Sequence, residues 1–339
     1  VLAVVVVARQ DGDAMKHPER RGGHEPSTSS LESPGDGTTT PHRQPRGNVE
    51  REEHGPGLAV DVNRAAEGSA PPATAPPGKP PLPRVLAVAN QKGGVGKTTT
   101  TVNLGAALAE MGYRALVVDL DPQGNATTGL GVNARNLDTS IYDVILHDVP
   151  IEDCIEPTNL RNLFLVPATI DLAGAEIELV PTFSRELRLK RAIAPVLDEF
   201  DFVLIDCPPS LGLLTVNALA AANEVVVPIQ CEYYALEGLG QLLSNIERVR
   251  ANLNPGLSVT TIIMTMFDAR TRLGEQVVDE VRRHFGDRVC RSVVPRTVRL
   301  SEAPSYGQPI IVFDPTCRGA TAYRELAKEV SGGAPQRVG

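Results

Sequence analysis

Residues 85–100 read Val85-Leu86-Ala87-Val88-Ala89-Asn90-Gln91-Lys92-Gly93-Gly94-Val95-Gly96-Lys97-Thr98-Thr99-Thr100. Val85–Asn90 is a short, mostly apolar run of the kind that forms a buried strand. Gln91–Thr98 is a glycine-rich loop. From Thr99 to Met111 apolar residues recur at helical spacing: Val102, Leu104, Ala106, Ala107, Leu108 and Met111. A strand, a glycine loop and a helix in that order bring free backbone N–H groups and a helix N-terminus to one point. That combination attracts anions, phosphate above all.

The loop Lys92-Gly93-Gly94-Val95-Gly96-Lys97-Thr98-Thr99 supplies the rest of a nucleotide site. Its glycines let N–H groups curl around phosphate oxygens. Lys97 would reach the β- and γ-phosphates of ATP, and the Thr98 hydroxyl would ligate Mg2+. The spacing G-x-x-x-x-G-K-[ST] is not met in full, because Gln91 stands where the first glycine belongs. The pattern present is K-G-G-x-G-K-[ST], with Lys92 added. A second lysine five residues before Lys97 can point toward a neighbouring subunit's nucleotide, as an arginine finger supplied in trans does. The alternative is that Lys92 is merely solvated.

Outward from the loop, further apolar strands are predicted at Ala115–Leu120, Leu163–Val166, Phe202–Ile205, Glu224–Ile229, Val259–Met264 and Val289–Val293. Helical patterns lie between most of them, such as Leu236, Leu239, Leu242, Leu243, Ile246 and Val249. Strands that are apolar on both faces and alternate with helices imply a doubly wound, mostly parallel α/β sheet covered on both sides. Ligands of such sheets sit beyond the carboxyl ends of the strands. Two carboxylates stand there. Asp206 ends the run Phe202–Ile205 and would hold Mg2+ through water. Asp121 follows Ala115–Leu120, with Asp119 close by. Either aspartate could instead be a helix cap or a loop residue.

The chain has 339 residues, with 33 Lys and Arg against 41 Asp and Glu, a formal charge of −8. Residues 1–84 contain no aromatic residue and hold 13 of the 28 prolines, 10 of the 30 glycines and four of the six histidines. Such a segment buries too little apolar surface to offset its ordering entropy. It is expected to be a disordered extension, leaving residues 85–332 as the working domain and 333–339 as a flexible tail. The run Val1–Ala8 is too short to span a bilayer and has no basic residues before it. Five cysteines, none spaced C-x-x-C, argue against a disulfide framework or a zinc or iron–sulfur cluster and suit a reducing cytoplasm. Residues 85–259 carry 11 basic and 21 acidic side chains, whereas residues 260–330 carry 11 and 9. The Arg-rich C-terminal third could face a polyanion, or could be a solvated surface with scattered ion pairs.

From Val85 to Val330 the chain resembles the deviant Walker-type ATPases of the ParA/Soj kind, closest to the chromosomal, Soj-like branch. Besides the loop, the resemblance rests on Asn90-Gln91, Asp119-Leu120-Asp121-Pro122-Gln123-Gly124-Asn125, Pro167-Ala168-Thr169 and Ala173-Gly174-Ala175-Glu176. It continues through Ile205-Asp206-Cys207-Pro208-Pro209-Ser210, the segment from Gln230 to Gly238, and Leu300-Ser301-Glu302-Ala303-Pro304. It implies an Mg2+-dependent ATPase that dimerises on ATP and binds double-stranded DNA without sequence preference. Hydrolysis would be slow and stimulated by a ParB/Spo0J-like centromere-binding partner. Asp121 would orient the attacking water. Met266 and Pro295 would lie in the loops that contact adenine, and Arg270 and Arg299 match DNA-contacting positions. A cytoplasmic, nucleoid-associated protein follows. Residues 1–84 fall outside the resemblance and lack the winged-helix-type pattern with which plasmid relatives bind their operator.

Three other readings share parts of this pattern. A MinD-type division-site ATPase would need a basic amphipathic C-terminal helix to lie on a membrane. Here Tyr323–Val330 runs into Ser331-Gly332-Gly333-Ala334-Pro335 instead. A redox ATPase or iron–sulfur scaffold would need a companion for Cys207 at suitable spacing. A nucleotide-binding module without catalysis would bind ATP but show no stimulated turnover.

Overall fold

The computed structural model describes residues 81–232 and 237–332. The reading of residues 1–84 as a disordered extension lies outside the described residues as far as residue 80, but its end is overturned, since Arg84 is buried and opens the first strand. The reading of 333–339 as a tail and the family-like segment Tyr233–Leu236 lie outside the described residues. Seven strands form one sheet: β1 (Arg84–Val88), β2 (Ala115–Asp119), β3 (Glu156–Pro157), β4 (Leu163–Val166), β5 (Phe202–Asp206), β6 (Glu224–Gln230) and β7 (Ser258–Thr265). Their order is β3-β4-β2-β5-β1-β6-β7. All pairings are parallel except that of the short edge strand β3 with β4.

Every residue of β1, β2 and β5 is buried, as a sheet with both faces covered requires. Alternate residues feed two apolar cores. Val85, Ala87, Leu116, Val118, Val203 and Ile205 join one core. It is roofed by α4 (Leu172–Glu178), α5 (Arg188–Ile193), α6 (Leu213–Ala221) and α7 (Glu237–Asn252). Leu86, Val88, Val117, Phe202 and Leu204 join the other, with α1 (Lys97–Glu110) and α11 (Arg318–Ser331). α1 is buried from Thr100 to Ala109, which is why its sequence is apolar or small nearly all round. The remaining helices are short, apart from α8 (Arg272–Phe285): α2 (Asn125–Gly129), α3 (Ile141–Leu146), α9 (Val298–Glu302) and α10 (Ile310–Phe313).

One expected strand is not formed. Val289–Val293 makes only an isolated bridge, Ile262 to Val289. The reason is competition for its donors. The N–H groups of Arg291 and Ser292 donate to the Glu329 carboxylate of α11 at 2.7 and 2.9 Å. Only Cys290 and Val294 donate to β7, reaching the Ile262 and Met264 carbonyls. α1 also begins two residues earlier than its apolar spacing suggested, so Lys97 and Thr98 belong to its first turn.

Below the sheet, at the amino ends of the strands, Arg84 is buried and donates to both oxygens of Glu224 at 2.6 and 2.7 Å. A third donor of the same guanidinium reaches the Val330 carbonyl of α11, and Thr260 donates to Glu224 at 2.6 Å. This cluster ties β1, β6, β7 and the last helix together. Removing one partner leaves a buried charge uncompensated. Arg84→Met should lower unfolding free energy by about 3–5 kcal/mol in a urea titration, and the double variant with Glu224→Leu should recover most of that loss.

Candidate nucleotide-binding site

The loop after β1 is held open on both sides. Asn90 donates its side-chain amide to the Pro228 carbonyl at 2.8 Å and accepts from the Lys92 N–H at 3.0 Å. On the other side the Thr265 hydroxyl donates to the Val95 carbonyl at 2.8 Å. Gly94 and Gly96 take left-handed backbone angles, φ 74° and 87°, which a side chain would oppose. Gly96 is the residue before α1 and carries no side-chain cap. The first N–H groups of the helix are therefore left for a ligand.

Lys97 stands in the first turn of α1, 7% exposed, with its Nζ 3.4 Å from the Lys92 carbonyl. Burial pulls its pKa below the ordinary lysine value, and Asp206, Cys207 and Asp121 oppose that shift. The Lys92 ammonium is partly exposed and pairs with Glu232 at 3.4 Å, and Glu232 also accepts from Gln230 at 2.6 Å.

Three carboxylates face this loop. Asp119 and Asp206 are register partners on β2 and β5, and both are fully buried. Asp119 accepts from the N–H and hydroxyl of Thr127 at 2.8 and 2.7 Å. Thr127 in turn accepts from the Ala168 N–H at 3.0 Å. Asp206 accepts from the Thr101 hydroxyl at 3.0 Å through Oδ1. Desolvation pushes both carboxyl groups above the usual range, and each lies beside another carboxylate that adds to the shift. Asp121 is nearly buried; its Oδ1 accepts from the Gln123 N–H at 3.0 Å and its own N–H donates to Asp119 at 3.2 Å.

Asp206 Oδ2 is buried without a hydrogen bond of ordinary geometry among the described residues, and the Thr98 hydroxyl lies close enough to moderate the carboxyl pKa. Two carboxylates, Asp206 and Asp121, act on one buried ammonium, and Asp119 stands beside both of them. Among the described residues no closed cage of three or more His, Cys, Asp or Glu ligands exists. An ion here would depend on water and phosphate oxygens for the rest of its shell, the habit of Mg2+. The residues fit that group.

The expected adenine loops do meet. Phe267 bridges Pro295 in parallel fashion, its N–H donates to the Val294 carbonyl at 3.0 Å, and Arg296 N–H donates back to the Phe267 carbonyl at 3.0 Å. Met266 adopts φ 53° between them, a left-handed angle uncommon for a non-glycine residue. The two expected DNA-contacting arginines lie on the C-terminal third, each engaged by carboxylates. Arg270, 89% exposed, forms a two-pronged pair with Asp268 at 2.9 and 2.7 Å, which holds the Asp268 carboxyl down at about 2. Arg299 pairs with Glu302 at 3.1 Å and Asp314 at 3.4 Å. Residues the sequence did not flag also build the site. Thr101 and Thr127 donate to the buried carboxylates, and their only trace in the sequence is a polar residue at a buried helical position.

A family model described as an AAA domain matches residues 83–259. The sporulation initiation inhibitor protein Soj of Bacillus subtilis is 58% identical over 248 residues, which cover 73% of this chain and 98% of that protein. The chromosome partitioning protein ParA of Myxococcus xanthus is 53% identical over 247 residues, 73% of this chain and 87% of that one. A crystal structure of cobyrinic acid a,c-diamide synthase from Mycobacterium smegmatis with bound ADP and magnesium is 44% identical, with a TM-score of 0.64, and the match covers 73% of this chain and 93% of that one. With a doubly wound sheet, the lysine-bearing loop and relatives matched over nearly their whole length, the chain belongs to the ParA/Soj family of chromosome-partitioning ATPases.

Proposed function

We propose that this chain is an Mg2+-dependent partitioning ATPase that binds DNA as an ATP-bound dimer and leaves it on hydrolysis. The observation that carries the reading is the meeting of an open backbone loop, one buried lysine and buried carboxylates at the carboxyl ends of β1, β2 and β5. The ATP phosphates would lie along Lys92–Thr99, with Lys97 against the β- and γ-phosphates. Thr98 and, through water, Asp206 would hold Mg2+, which when bound supplies charge neutralisation on the phosphates. Asp121, anchored by the Gln123 N–H, would orient the attacking water. These groups position and neutralise; none is a strong general base, so turnover is slow.

Lys92 would exchange Glu232 for the phosphates of the partner subunit's nucleotide, which couples dimerisation to catalysis. Arg270 and Arg299 would exchange their carboxylates for DNA phosphates, equivalent bidentate acceptors. Met266 and Pro295 would flank adenine. A ParB/Spo0J-like protein on centromere DNA would stimulate hydrolysis, and the protein would work in the cytoplasm on the nucleoid. The packing of α11 favours this over the MinD-like, membrane-associated alternative. Its apolar side chains, Ala320, Tyr323, Leu326, Ala327 and Val330, are already buried in the core with α1, and no helix among the described residues is long and apolar enough to cross a membrane.

Phosphate release from ATP should be slow alone and rise when non-specific DNA and the cognate ParB-like protein are added together; unstimulated turnover under all conditions would refute the reading. Asp121→Ala should bind ATP with the parental Kd while phosphate release falls at least about 100-fold, a loss of about 2.7 kcal/mol in transition-state stabilisation. Arg270→Glu with Arg299→Glu should abolish ATP-dependent DNA binding and leave ATP binding intact; each single variant should flatten the salt dependence by about one unit of log–log slope per lost phosphate contact. Asp206→Asn removes one of two mutually repelling buried carboxylates. Without ligand its melting temperature should hold or rise. The gain of about 2.7 kcal/mol expected of the parent at a hundredfold Kd of Mg-ADP should largely vanish.

A further inference from the structure

The loop that follows Asp206 runs through Cys207, Pro208, Pro209, Ser210 and Leu211 to Gly212, the residue before α6. Its far end is tied by the Thr215 hydroxyl, which donates to the Ser210 carbonyl at 2.6 Å. A second element presses on it from the side. Glu176 of α4 sits with its carboxylate directly over the Gly212 α-carbon. A Cβ at that position would lie 1.7 Å from Glu176 Oε1, 2.4 Å from its Cδ and 2.7 Å from Oε2. No side chain larger than glycine fits at 212 while Glu176 stays where it is.

That carboxylate is poorly served. Glu176 Oε1 is buried and has no hydrogen-bond partner among the described residues. Buried polar atoms are nearly always paired, so an orphan marks either a strained state or one waiting for a partner. The first N–H groups of α6 follow Gly212 directly in the chain. This helix begins at Leu213 with no side-chain cap at Gly212 and no acidic residue in its first turn. A carboxylate is the group a helix start favours. The pairing is absent within α6, and the group that could supply it stands one residue away on a different helix.

Glu176 also has a fixed connection to the other side of the site. α4 follows Pro167-Ala168-Thr169, and the Ala168 N–H donates to Thr127, whose hydroxyl donates to Asp119. Asp119 is the register partner of Asp206. The path from Asp206 through Gly212, Glu176, α4, Ala168, Thr127 and Asp119 back to Asp206 is therefore closed.

We propose that Glu176 is a positioning residue of the ATPase: when the loop 207–212 moves onto bound ATP, the Glu176 carboxylate caps the start of α6 and latches the loop that follows Asp206. Gly212 is required because the carboxylate must cross its α-carbon to do so. The inference rests on the proposed ATPase reading for its kinetic consequence, but the latch itself is a conformational property that binding alone can report.

The chain contains no tryptophan, so Leu211→Trp in the full chain places a single reporter in the loop. In this background Mg-ATP should shift the emission of the reporter. Glu176→Ala should remove the shift and lower kcat about tenfold while KM for ATP changes less than about twofold, a change of roughly 1.4 kcal/mol in the catalytic barrier. Glu176→Gln, which keeps an acceptor of the same reach, should restore both. Gly212→Ala should match Glu176→Ala, and the double variant should be no worse than either, since both break one contact. A normal shift in Glu176→Ala, or a glutamine variant as defective as alanine, would overturn the proposal. So would equal losses in nucleotide affinity and kcat accompanied by a lowered melting temperature, the mark of a purely structural role. A Glu176-dependent shift in a protein without ATP turnover would instead refute the ATPase reading and leave the latch standing.

Discussion

Asp119 and Asp206 reach the carboxyl edge of the sheet at the same height because β2 and β5 are parallel neighbours in register, and both side chains are buried there. Taking two carboxylates out of water side by side costs several kcal/mol per ion after relaxation. The surrounding sequence is arranged to offset that cost. Thr127 gives Asp119 two donors, Thr101 gives Asp206 one, and Lys97 brings the buried positive charge on the first turn of α1. The compensation stops short, at one oxygen of Asp206 and at a surplus of negative charge. The apolar packing of α1 between sheet and α11 is what allows Lys97 to be held in so unfavourable a place: a helix buried along its length cannot swing its first turn into solvent. Ligand affinity at this edge is thus the counterpart of an electrostatic cost paid in folding.

The same constraint divides the site into fixed and movable parts. α1, β1, β2 and β5 are buried throughout and cannot adjust without opening the core. The segments that join them at the carboxyl edge are short helices and turns. α2, with five residues, is held to the rigid part through Thr127 and Asp119. The loop 207–212 is held by Ser210 and Thr215 at one end and by Asp206 at the other. A motion of these segments would change which donors face the two carboxylates, so a ligand that neutralised the surplus charge would act on the loops through the same atoms that stabilise the fold.

The sequence was legible where one physical demand governs one stretch. Glycines at 94 and 96 are needed for left-handed backbone, and the loop follows from them. Apolar runs bounded by aspartate mark strands that end at a polar edge, which singles out Asp206 and Asp121, with Asp119 beside the latter. Legibility failed where two segments compete for the same group. Val289–Val293 has the composition of a strand, yet Glu329 from α11 takes two of its N–H groups. The two-residue strand β3 carries no periodicity to read. Glu176 stands on α4, and only the tertiary approach of Gly212 gives it significance. Net charge was the weakest guide, because the formal −8 averages a strongly acidic stretch at 85–259 with an Arg-rich stretch at 260–330.

Exposed arginines of the C-terminal third show how little a charge count says about availability. Arg270 and Arg299 are each held by carboxylates of their own segment, Asp268 in one case and Glu302 with Asp314 in the other. An exposed pair of this kind contributes little stability, since water screens it. It does restrict the rotamers of a long side chain, so less entropy is lost when a second acceptor arrives. The acceptor must then displace a carboxylate already in place, which favours groups that offer several oxygens in series over a single anion. A phosphate backbone has that form. If these arginines meet DNA as proposed, the carboxylates beside them would weaken isolated anions more than they weaken a polymer, and the acidic residues of this region would contribute to selectivity for a polyanion.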